Sequence, residues 1–218
     1  MQIAIGLYPG FTVLDAIGPY QVLVEMPGAD VIFCAEKTGR LDDEKGLLHI
    51  DIEHSFADVP RPDVLLVPGG TITRRLAVPG EPIVEWIREA HPHTTYTTSV
   101  CTGALLLGAA GVLEGLDATT HWIAYDQLRE FGANPTETRV VVQGKVVTGA
   151  GVSAGIDMAL TLAAEIAGPE IAQAIQLGIE YDPQPPFDAG APSKAPAPIY
   201  ELVEGVMRAA EAQVRQTT

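Results

Sequence analysis

The sequence predicts an α/β fold in which helices cover both faces of a doubly wound, mostly parallel β-sheet. Strand-like segments alternate with helix-like segments along the chain, as in proteins of this class. Residues 63–67 (DVLLV) are apolar at nearly every position, which is typical of a central parallel strand buried on both faces. This segment runs into Pro68-Gly69-Gly70, a loop signal. We expect a single domain over residues 1–218.

Local patterns place the other elements along the chain. Strands are predicted at residues 2–8, 30–35, 47–52 (at a sheet edge) and 94–100, and helices at residues 82–90, 102–110, 154–167, 169–180 and 198–215. A further helix is expected to begin near Pro19, because proline suits the first turn of a helix. Residues 118–122 predict a brief strand that leads into a helix towards Phe131. Residues 139–148 predict a hairpin that turns at Gln143-Gly144.

Composition narrows the classes of partner. Hydrophobic residues make up 47% of the chain and charged residues 19%, so most of the 218 residues have enough apolar surface to form a packed core. The formal net charge is −15, from 28 acidic and 13 basic residues, and no basic cluster interrupts it. Nucleic acids and anionic membranes are therefore not expected as partners, because they would be repelled.

The two cysteines, Cys34 and Cys101, are too few for a disulfide framework, and neither belongs to a Cys-x-x-Cys pair. The first residues lack the basic and apolar regions of a signal peptide, and no apolar run reaches membrane-spanning length. We therefore expect a cytoplasmic protein with free thiols. Cys34 lies inside a predicted strand and is expected to be an inert core residue.

Cys101 lies where a predicted strand meets a predicted helix. A thiol on such a turn faces outward, and the free amides and dipole of the following helix stabilise its thiolate. Gly103 allows a close turn, and amides near Thr102 are placed to stabilise an anion beside the sulfur. The alternative is a buried core cysteine, the commoner state of a free cysteine. The position on a turn favours the nucleophile.

Two further features follow predicted strands. Doubly wound sheets bind ligands beyond the carboxyl ends of their strands, so we expect these features to lie near Cys101. Asp15 follows the first strand, and Gly69-Gly70 follow the strand at residues 63–67. Asp15 has an alternative role as the cap of the next helix. The glycines either form only a turn or let their amides approach an oxyanion.

A nucleophilic cysteine commonly has a histidine partner, and His121 is the only histidine downstream of Cys101. Its side chain either points towards the sulfur or serves in packing or capping, and both roles stay open. Residues 151–155 (GVSAG) match the Gly-x-Ser-x-Gly pattern of α/β-hydrolases, whose histidine follows the serine in the chain. No histidine follows His121, so Ser153 is interpreted as a helix N-cap. No spacing of His, Cys and acidic residues resembles a zinc site.

Several sequence blocks resemble the ThiJ/PfpI superfamily, whose members carry a cysteine elbow on a flavodoxin-like sheet. These blocks are residues 67–70 (VPGG), 98–103 (TSVCTG) and 118–122 (ATTHW). Three other blocks are similar to the isonitrile hydratase branch: residues 14–19 (LDAIGP), 155–165 (GIDMALTLAAE) and 177–190 (LGIEYDPQPPFDAG). The resemblance extends from the first strand to about Pro192, and the block at residues 177–190 is the more specific signal.

The resemblance implies hydration of isonitriles (R–N≡C) to N-substituted formamides, without a metal or an organic cofactor. It assigns the nucleophile to Cys101 and the general acid/base to Asp15, with a thioimidate intermediate. Thr102, with nearby amides, is then placed to hold water or a developing charge. An acid that keeps a proton near neutral pH must be partly desolvated, so we expect a raised pKa for Asp15. The family also implies a homodimer.

Departures from other branches limit the alternatives. Thr102 stands where peptidase-like members have histidine, and the downstream His-x-Glu of amidotransferase triads is missing. The chain ends near its last predicted helix, so we do not expect a helix-turn-helix domain. Two alternatives stay open. One is glyoxalase-like or deglycase activity on 2-oxoaldehydes, and the other is a non-enzymatic thiol sensor or ligand-binding module based on Cys101.

Overall fold

The computed structural model of the protein describes residues 1–216, so the last two residues of the expected domain, 217 and 218, lie outside the described residues. The strands in chain order are β1 (Gln2–Gly6), β2 (Asp30–Ala35), β3 (Gly39–Asp42), β4 (His49–Ile52), β5 (His54–Ser55), β6 (Val64–Val67), β7 (Tyr96–Val100), β8 (Asp117–Ala118), β9 (Asn134–Pro135), β10 (Val140–Gln143) and β11 (Val146–Gly149). The helices are α1 (Val13–Leu23), α2 (Thr73–Leu76), α3 (Pro82–Ala90), α4 (Gly103–Ala109), α5 (Tyr125–Glu130), α6 (Ala154–Ala167), α7 (Pro169–Gly178) and α8 (Ala197–Gln216).

The main sheet has seven strands in the order β10-β11-β7-β6-β1-β2-β5. Every neighbouring pair is parallel except the hairpin of β10 and β11. The chain winds from β1 to β2 and β5 on one side, and through β6 to β7 and β11 on the other. This reversal between β1 and β6 is the switch point at which such sheets open a crevice. The predicted fold class is confirmed.

The central strands are buried as their composition predicts. All four residues of β6 are buried, and so are residues 3–6 of β1. Helix α4 packs an unbroken apolar surface behind the sheet, and its residues from Gly103 to Gly108 are all buried. Within residues 1–216, no helix is both long and apolar enough to cross a bilayer. The central sheet is thus a rigid base for the loops at its carboxyl edge.

The start of α1 differs from the prediction. The helix begins at Val13, so Pro19 lies inside it instead of in its first turn. Proline cannot donate the helical hydrogen bond at this position, which weakens a helix. Pro19 packs closely against α6, because a Cβ added at Gly155 would lie 3.1 Å from the Pro19 ring.

Short strands also differ from the prediction. The predicted edge strand at residues 47–52 is β4, which pairs with β3 in a separate antiparallel hairpin. The edge beside β2 is the two-residue β5. The brief strand at residues 118–122 shrinks to β8, and a 3₁₀ turn, Trp122–Ala124, precedes α5. In the β10–β11 hairpin Gln143 pairs with Val146, so the turn itself is Gly144-Lys145. Weak local patterns explain these shifts, since elements of two to four residues carry little periodicity.

Candidate active site

Cys101 occupies a sharp turn between β7 and α4. Its backbone has φ +56°, a left-handed conformation that a residue with a Cβ rarely adopts. Hydrogen bonds to neighbouring segments hold it there. The Cys101 N–H donates to the carbonyl oxygens of Gly149 (3.0 Å) and Ala150 (2.9 Å), and the Thr120 hydroxyl donates to the Cys101 carbonyl (2.8 Å). The predicted elbow is present, and backbone strain at this residue is held by its neighbours.

Gly103 allows the elbow to close against β6. A Cβ at this position would lie 2.3 Å from the Val67 carbonyl oxygen and 2.8 Å from that of Pro68. Backbone atoms in the sheet cannot move aside at low cost, so only glycine fits. Gly103 is buried behind the elbow and acts here through packing.

Asp15 lies in the first turn of α1, and its side chain is fully buried. The N-cap of α1 is Thr12, and the Asp15 carboxylate accepts a hydrogen bond from the Gly69 N–H across the crevice (2.8 Å). The alternative role of Asp15 as a helix cap is therefore wrong. Among the described residues, its second oxygen, Oδ1, has no hydrogen-bond partner.

Burial changes the ionisation of Asp15. Desolvation raises the pKa of its carboxyl to about 7, against the lowering effect of the Gly69 N–H and of the neighbouring Cys101. The nearby Glu44 carboxylate raises this pKa further. The expected raised pKa is confirmed, and its main cause is the expected one. Near neutral pH the group therefore populates both its acid and its base form.

The Cys101 sulfur is less exposed than a turn position suggests, at 6% for the residue. Burial and the adjacent Asp15 raise the pKa of the thiol, whereas the backbone N–H groups of Val152 and Thr102 lower it. Desolvation is the largest of these effects, so the helix amides alone do not produce a thiolate. The Asp15 carboxylate opposes ionisation of the Cys101 thiol, whereas the thiol favours the Asp15 carboxylate, so the pair keeps at least one proton at neutral pH.

Thr102 and Gly70 are joined by two hydrogen bonds. The Gly70 N–H donates to the Thr102 hydroxyl oxygen (3.1 Å), and this hydroxyl lies 3.2 Å from the Gly70 carbonyl oxygen, to which it donates. The amides of Gly69 and Gly70 are thus engaged by Asp15 and Thr102. Gly69 also allows close packing, because a Cβ at this position would lie 2.7 Å from the Thr102 nitrogen and 2.8 Å from Asp15 Oδ2.

A cavity of about 220 Å³ opens onto Cys101. One part of its wall is apolar and comprises Ile123, Val152, Val206, Met207 and Ala210. The other part is polar and comprises Thr12, Glu44, Lys45, Gly70, Thr71, Arg74, Thr102 and His121. Thr12 and Glu44 are linked by a hydrogen bond of 3.1 Å. The cavity therefore combines a reactive end at Cys101 with an apolar wall supplied largely by α8.

Of the roles left open for His121, the structure shows capping, and the ring also lies in the cavity wall. The His121 Nδ1 accepts a hydrogen bond from the Ile123 N–H (3.4 Å), which caps the following 3₁₀ turn. Burial and the positive charge of Arg74 lower the pKa of the imidazole to about 4. His121 is therefore neutral at pH 7 and has no net charge to stabilise a thiolate.

The structure adds residues that the sequence interpretation did not include. Val152 follows β11 and supplies an amide to the sulfur, and Thr120 holds the Cys101 carbonyl. The carboxyl end of the predicted hairpin was a usable signal for Val152, since it lies at the same sheet edge. Nothing in the sequence pattern placed Arg74 or the apolar residues of α8 beside the cysteine.

The family model of the DJ-1/PfpI family matches residues 1–165. The chain belongs to the DJ-1/PfpI family. The matched part of this DJ-1/PfpI protein includes the whole sheet and the elbow and ends inside α6. Helices α7 and α8 lie beyond it, so one apolar wall of the cavity comes from a segment outside the family model.

Relatives of this DJ-1/PfpI protein support the narrower resemblance. It is similar to isonitrile hydratase of Pseudomonas putida, with 43% identity over 201 residues, 92% of this chain and 87% of the relative. It also matches the crystal structure of a ThiJ/PfpI family protein from Pseudomonas syringae, with a TM-score of 0.89 and 40% identity, over 98% of this chain and 90% of that chain. A deglycase of Pyrococcus abyssi is 27% identical over 139 residues, 63% of this chain and 82% of the relative. The resemblance to isonitrile hydratases is confirmed.

Proposed function

We propose that this protein hydrates isonitriles to N-substituted formamides, with Cys101 as nucleophile and Asp15 as general acid and base. The observation that carries the proposal is the buried Asp15 carboxyl beside the Cys101 thiol, with its pKa raised to about 7. The similarity to isonitrile hydratase over 92% of the chain supports this substrate class. The homodimer and the cytoplasmic location stay predictions.

In the first step the Asp15 carboxylate takes the proton of the Cys101 thiol, which leaves a carboxylic acid beside a thiolate. The sulfur lone pair forms a bond to the terminal isonitrile carbon, and the Asp15 proton moves to the same carbon. The product is a thioimidate, Cys101–S–CH=N–R, beside an Asp15 carboxylate. The amides of Val152 and Thr102 stabilise the thiolate before attack.

In the second step the Asp15 carboxylate takes a proton from water as the water oxygen bonds to the thioimidate carbon. Asp15 passes this proton to the nitrogen. The C–S bond then breaks, its electron pair returns to sulfur, and the hydroxyl proton of the intermediate moves to Asp15. The formamide leaves, and the thiolate and carboxylic acid are restored. A carboxyl with a pKa near 7 suits both transfers.

The cavity fits a substrate of this kind. An isonitrile offers little to hydrogen bonds, so its R group gains most from apolar contacts. Ile123, Val152 and Met207 supply such contacts beside Cys101. The neutral His121 adds no charge that the substrate would have to match.

The test is incubation of the purified protein with an alkyl and an aryl isonitrile, following the formamide by NMR. We expect catalytic turnover that is abolished in Cys101→Ala. The matched control is Cys34→Ala, because Cys34 is also fully buried but lies in β2, away from the cavity. This control should retain activity.

Formamide production no higher than in Cys101→Ala would contradict the proposal. The similarity to a deglycase identifies 2-oxoaldehydes as the alternative substrates. Turnover of methylglyoxal without turnover of any isonitrile would assign the site to that chemistry. Peroxide oxidation of Cys101 without either turnover would indicate a thiol sensor.

A further inference from the structure

We propose that Tyr8 is a positioning residue that sets the acid strength of Asp15 through the peptide bond between Pro68 and Gly69. Tyr8 follows β1 and is only 4% exposed, and the mechanism above does not use it. The proposal rests on the proposed function, in which Asp15 transfers protons. It adds a control over the pH at which those transfers occur.

One peptide unit connects the two side chains. The Tyr8 hydroxyl donates to the Pro68 carbonyl oxygen at 2.7 Å. The nitrogen of the same peptide belongs to Gly69, and its N–H donates to Asp15 Oδ2 at 2.8 Å. Hydroxyl, peptide and carboxylate thus form a continuous chain of hydrogen bonds. Both bonds are buried, so water does not compete for them.

The chain has a definite electronic effect. A hydrogen bond to the carbonyl oxygen draws electron density from the amide nitrogen, which makes its N–H a stronger donor. A stronger Gly69 donor stabilises the ionised form of Asp15 and so opposes the effect of burial. Without the Tyr8 hydroxyl, the Asp15 carboxyl should hold its proton up to a higher pH.

Other groups facing Asp15 do not replace this effect. The Cys101 thiol and the Glu44 carboxyl are the other ionisable groups near Asp15, and negative charge on Glu44 also favours the protonated form. Burial, together with Asp15 and Cys101, raises the pKa of Tyr8 itself, so its hydroxyl keeps the proton that it donates. The Gly69 N–H and the Cys101 thiol both stabilise the Asp15 carboxylate, and the Gly69 N–H has the larger effect.

The test compares Tyr8→Phe with Tyr96→Phe over a range of about pH 5 to about pH 9. Both variants keep the aromatic ring, and Tyr96 lies at the opposite end of β7 from the elbow. The mechanism above starts from a Cys101–Asp15 pair that holds one proton, so a pair that holds two protons is unreactive. kcat/KM therefore falls at low pH, and the first ionisation of the pair sets the position of this acidic limb. In Tyr8→Phe this limb should move up by about 0.3–0.5 pH unit, a two- to three-fold loss below it. The plateau above the limb should stay within about two-fold of wild type.

A limb at its wild-type position, with only a lower Tm or a lower plateau, would assign Tyr8 to packing and overturn the proposal. A shift of the same size in Tyr96→Phe would also overturn it. A second measurement separates this outcome from failure of the proposed function. The ¹³C carboxyl resonance of Asp15, identified by its loss in Asp15→Asn, can be titrated without substrate. A higher midpoint in Tyr8→Phe supports the Tyr8 proposal even if no isonitrile is turned over.

Discussion

At the scale of single residues, Cys101 and Asp15 have to be considered as one ionising unit. The position of Cys101 before a helix suggested a thiolate stabilised by helix amides. Helix α4 has only seven residues, and burial raises the pKa of the thiol more than the amides lower it. The carboxyl of Asp15 resolves this conflict, because it can accept the thiol proton and return it to the substrate. A buried acid is therefore needed to make a buried cysteine reactive.

Replacing Asp15 by Asn tests this pairing. Asn keeps the size of the side chain but cannot transfer a proton, so kcat should fall by about 10²- to 10⁴-fold. Circular dichroism should show an unchanged fold, because the amide oxygen still accepts the Gly69 N–H. Steady-state kinetics with an aryl isonitrile provide the measurement.

The matched control for Asp15→Asn is Asp126→Asn. Asp126 is 81% exposed and forms only a surface ion pair with Arg129, so its variant should behave as wild type. Full activity of Asp15→Asn would show that the carboxyl has no role in proton transfer. A loss of the folded state in this variant would instead assign Asp15 to stability.

At the scale of elements, the sequence is most informative where one strand and the turn after it carry strong local signals. The apolar run of β6 and the glycines after it predicted a central strand and a close approach. Gly103 likewise predicted the tight elbow. These features depend on neighbours in the chain, so a local pattern can reveal them.

Features that depend on distant contacts could not be predicted in this way. Pro19 was expected to start a helix, but it lies inside one, where it packs closely against α6. The Thr120 bond to Cys101 and the cavity wall of α8 join segments that are far apart in sequence. The raised pKa of Asp15 was predictable because the family resemblance had already implied a general acid and base role, which needs a proton near neutral pH.

Replacing Gly103 by Ala tests the packing of the elbow against β6. The new Cβ would lie 2.3 Å from the Val67 carbonyl oxygen, so α4 must shift or the elbow must open. We expect a loss of about 1–3 kcal/mol in the free energy of unfolding, measured by urea titration. Activity should fall as well, because the sulfur would move. The control is Gly178→Ala in α7, where a Cβ meets no atom within 4 Å and stability should change little.

Helix α8 should determine which R groups the cavity accepts. Ala210 and Met207 line it, so Ala210→Leu narrows the cavity and Met207→Ala widens it. Each methylene group in an apolar pocket changes transition-state binding by about 1–3 kcal/mol. Ala210→Leu should therefore lower kcat/KM about ten-fold or more for a bulky aryl isonitrile and much less for a small alkyl one. Met207→Ala should change the same ratio in the opposite direction.

The control on the same helix is Val203→Ala. Val203 is 40% exposed and is not among the residues that line the cavity within the described chain. The ratio of kcat/KM between aryl and alkyl isonitriles should stay at its wild-type value in this variant. An unchanged ratio in Ala210→Leu as well would show that the R group does not reach α8.

At the scale of the whole molecule, the sheet topology assembles the site and burial sets its chemistry. Strands β1, β6, β7 and β11 are parallel neighbours, so the segments after their carboxyl ends meet at one edge. These segments carry Asp15, Gly69-Gly70, Cys101 and Val152. The acid beside the sulfur is enclosed there, and its enclosure has a cost in stability. That cost should be visible in the unfolding of the entire protein.

Two buried groups make the stability of the protein depend on pH in opposite directions. Folding raises the pKa of Asp15 from 3.8 to about 7, so the folded state holds this proton more tightly than the unfolded state. Its contribution is fully present below about pH 4 and is lost as pH rises through about 7. Folding lowers the pKa of His121 from 6.5 to about 4, so its contribution is lost as pH falls below about 6.5.

The difference in unfolding free energy between wild type and Asp15→Asn isolates the carboxyl, because His121 contributes equally to both proteins. Between about pH 4 and about pH 8 the wild type should lose up to about 4 kcal/mol of unfolding free energy relative to Asp15→Asn, which is the free-energy equivalent of the pKa shift. Urea unfolding at intervals across this range measures it. A difference that stays constant with pH would mean that Asp15 ionises in the folded protein as it does in the unfolded chain. The carboxyl would then be ionised throughout the neutral range, and the acidic limb of kcat/KM would lie near pH 3.8 instead of near pH 7.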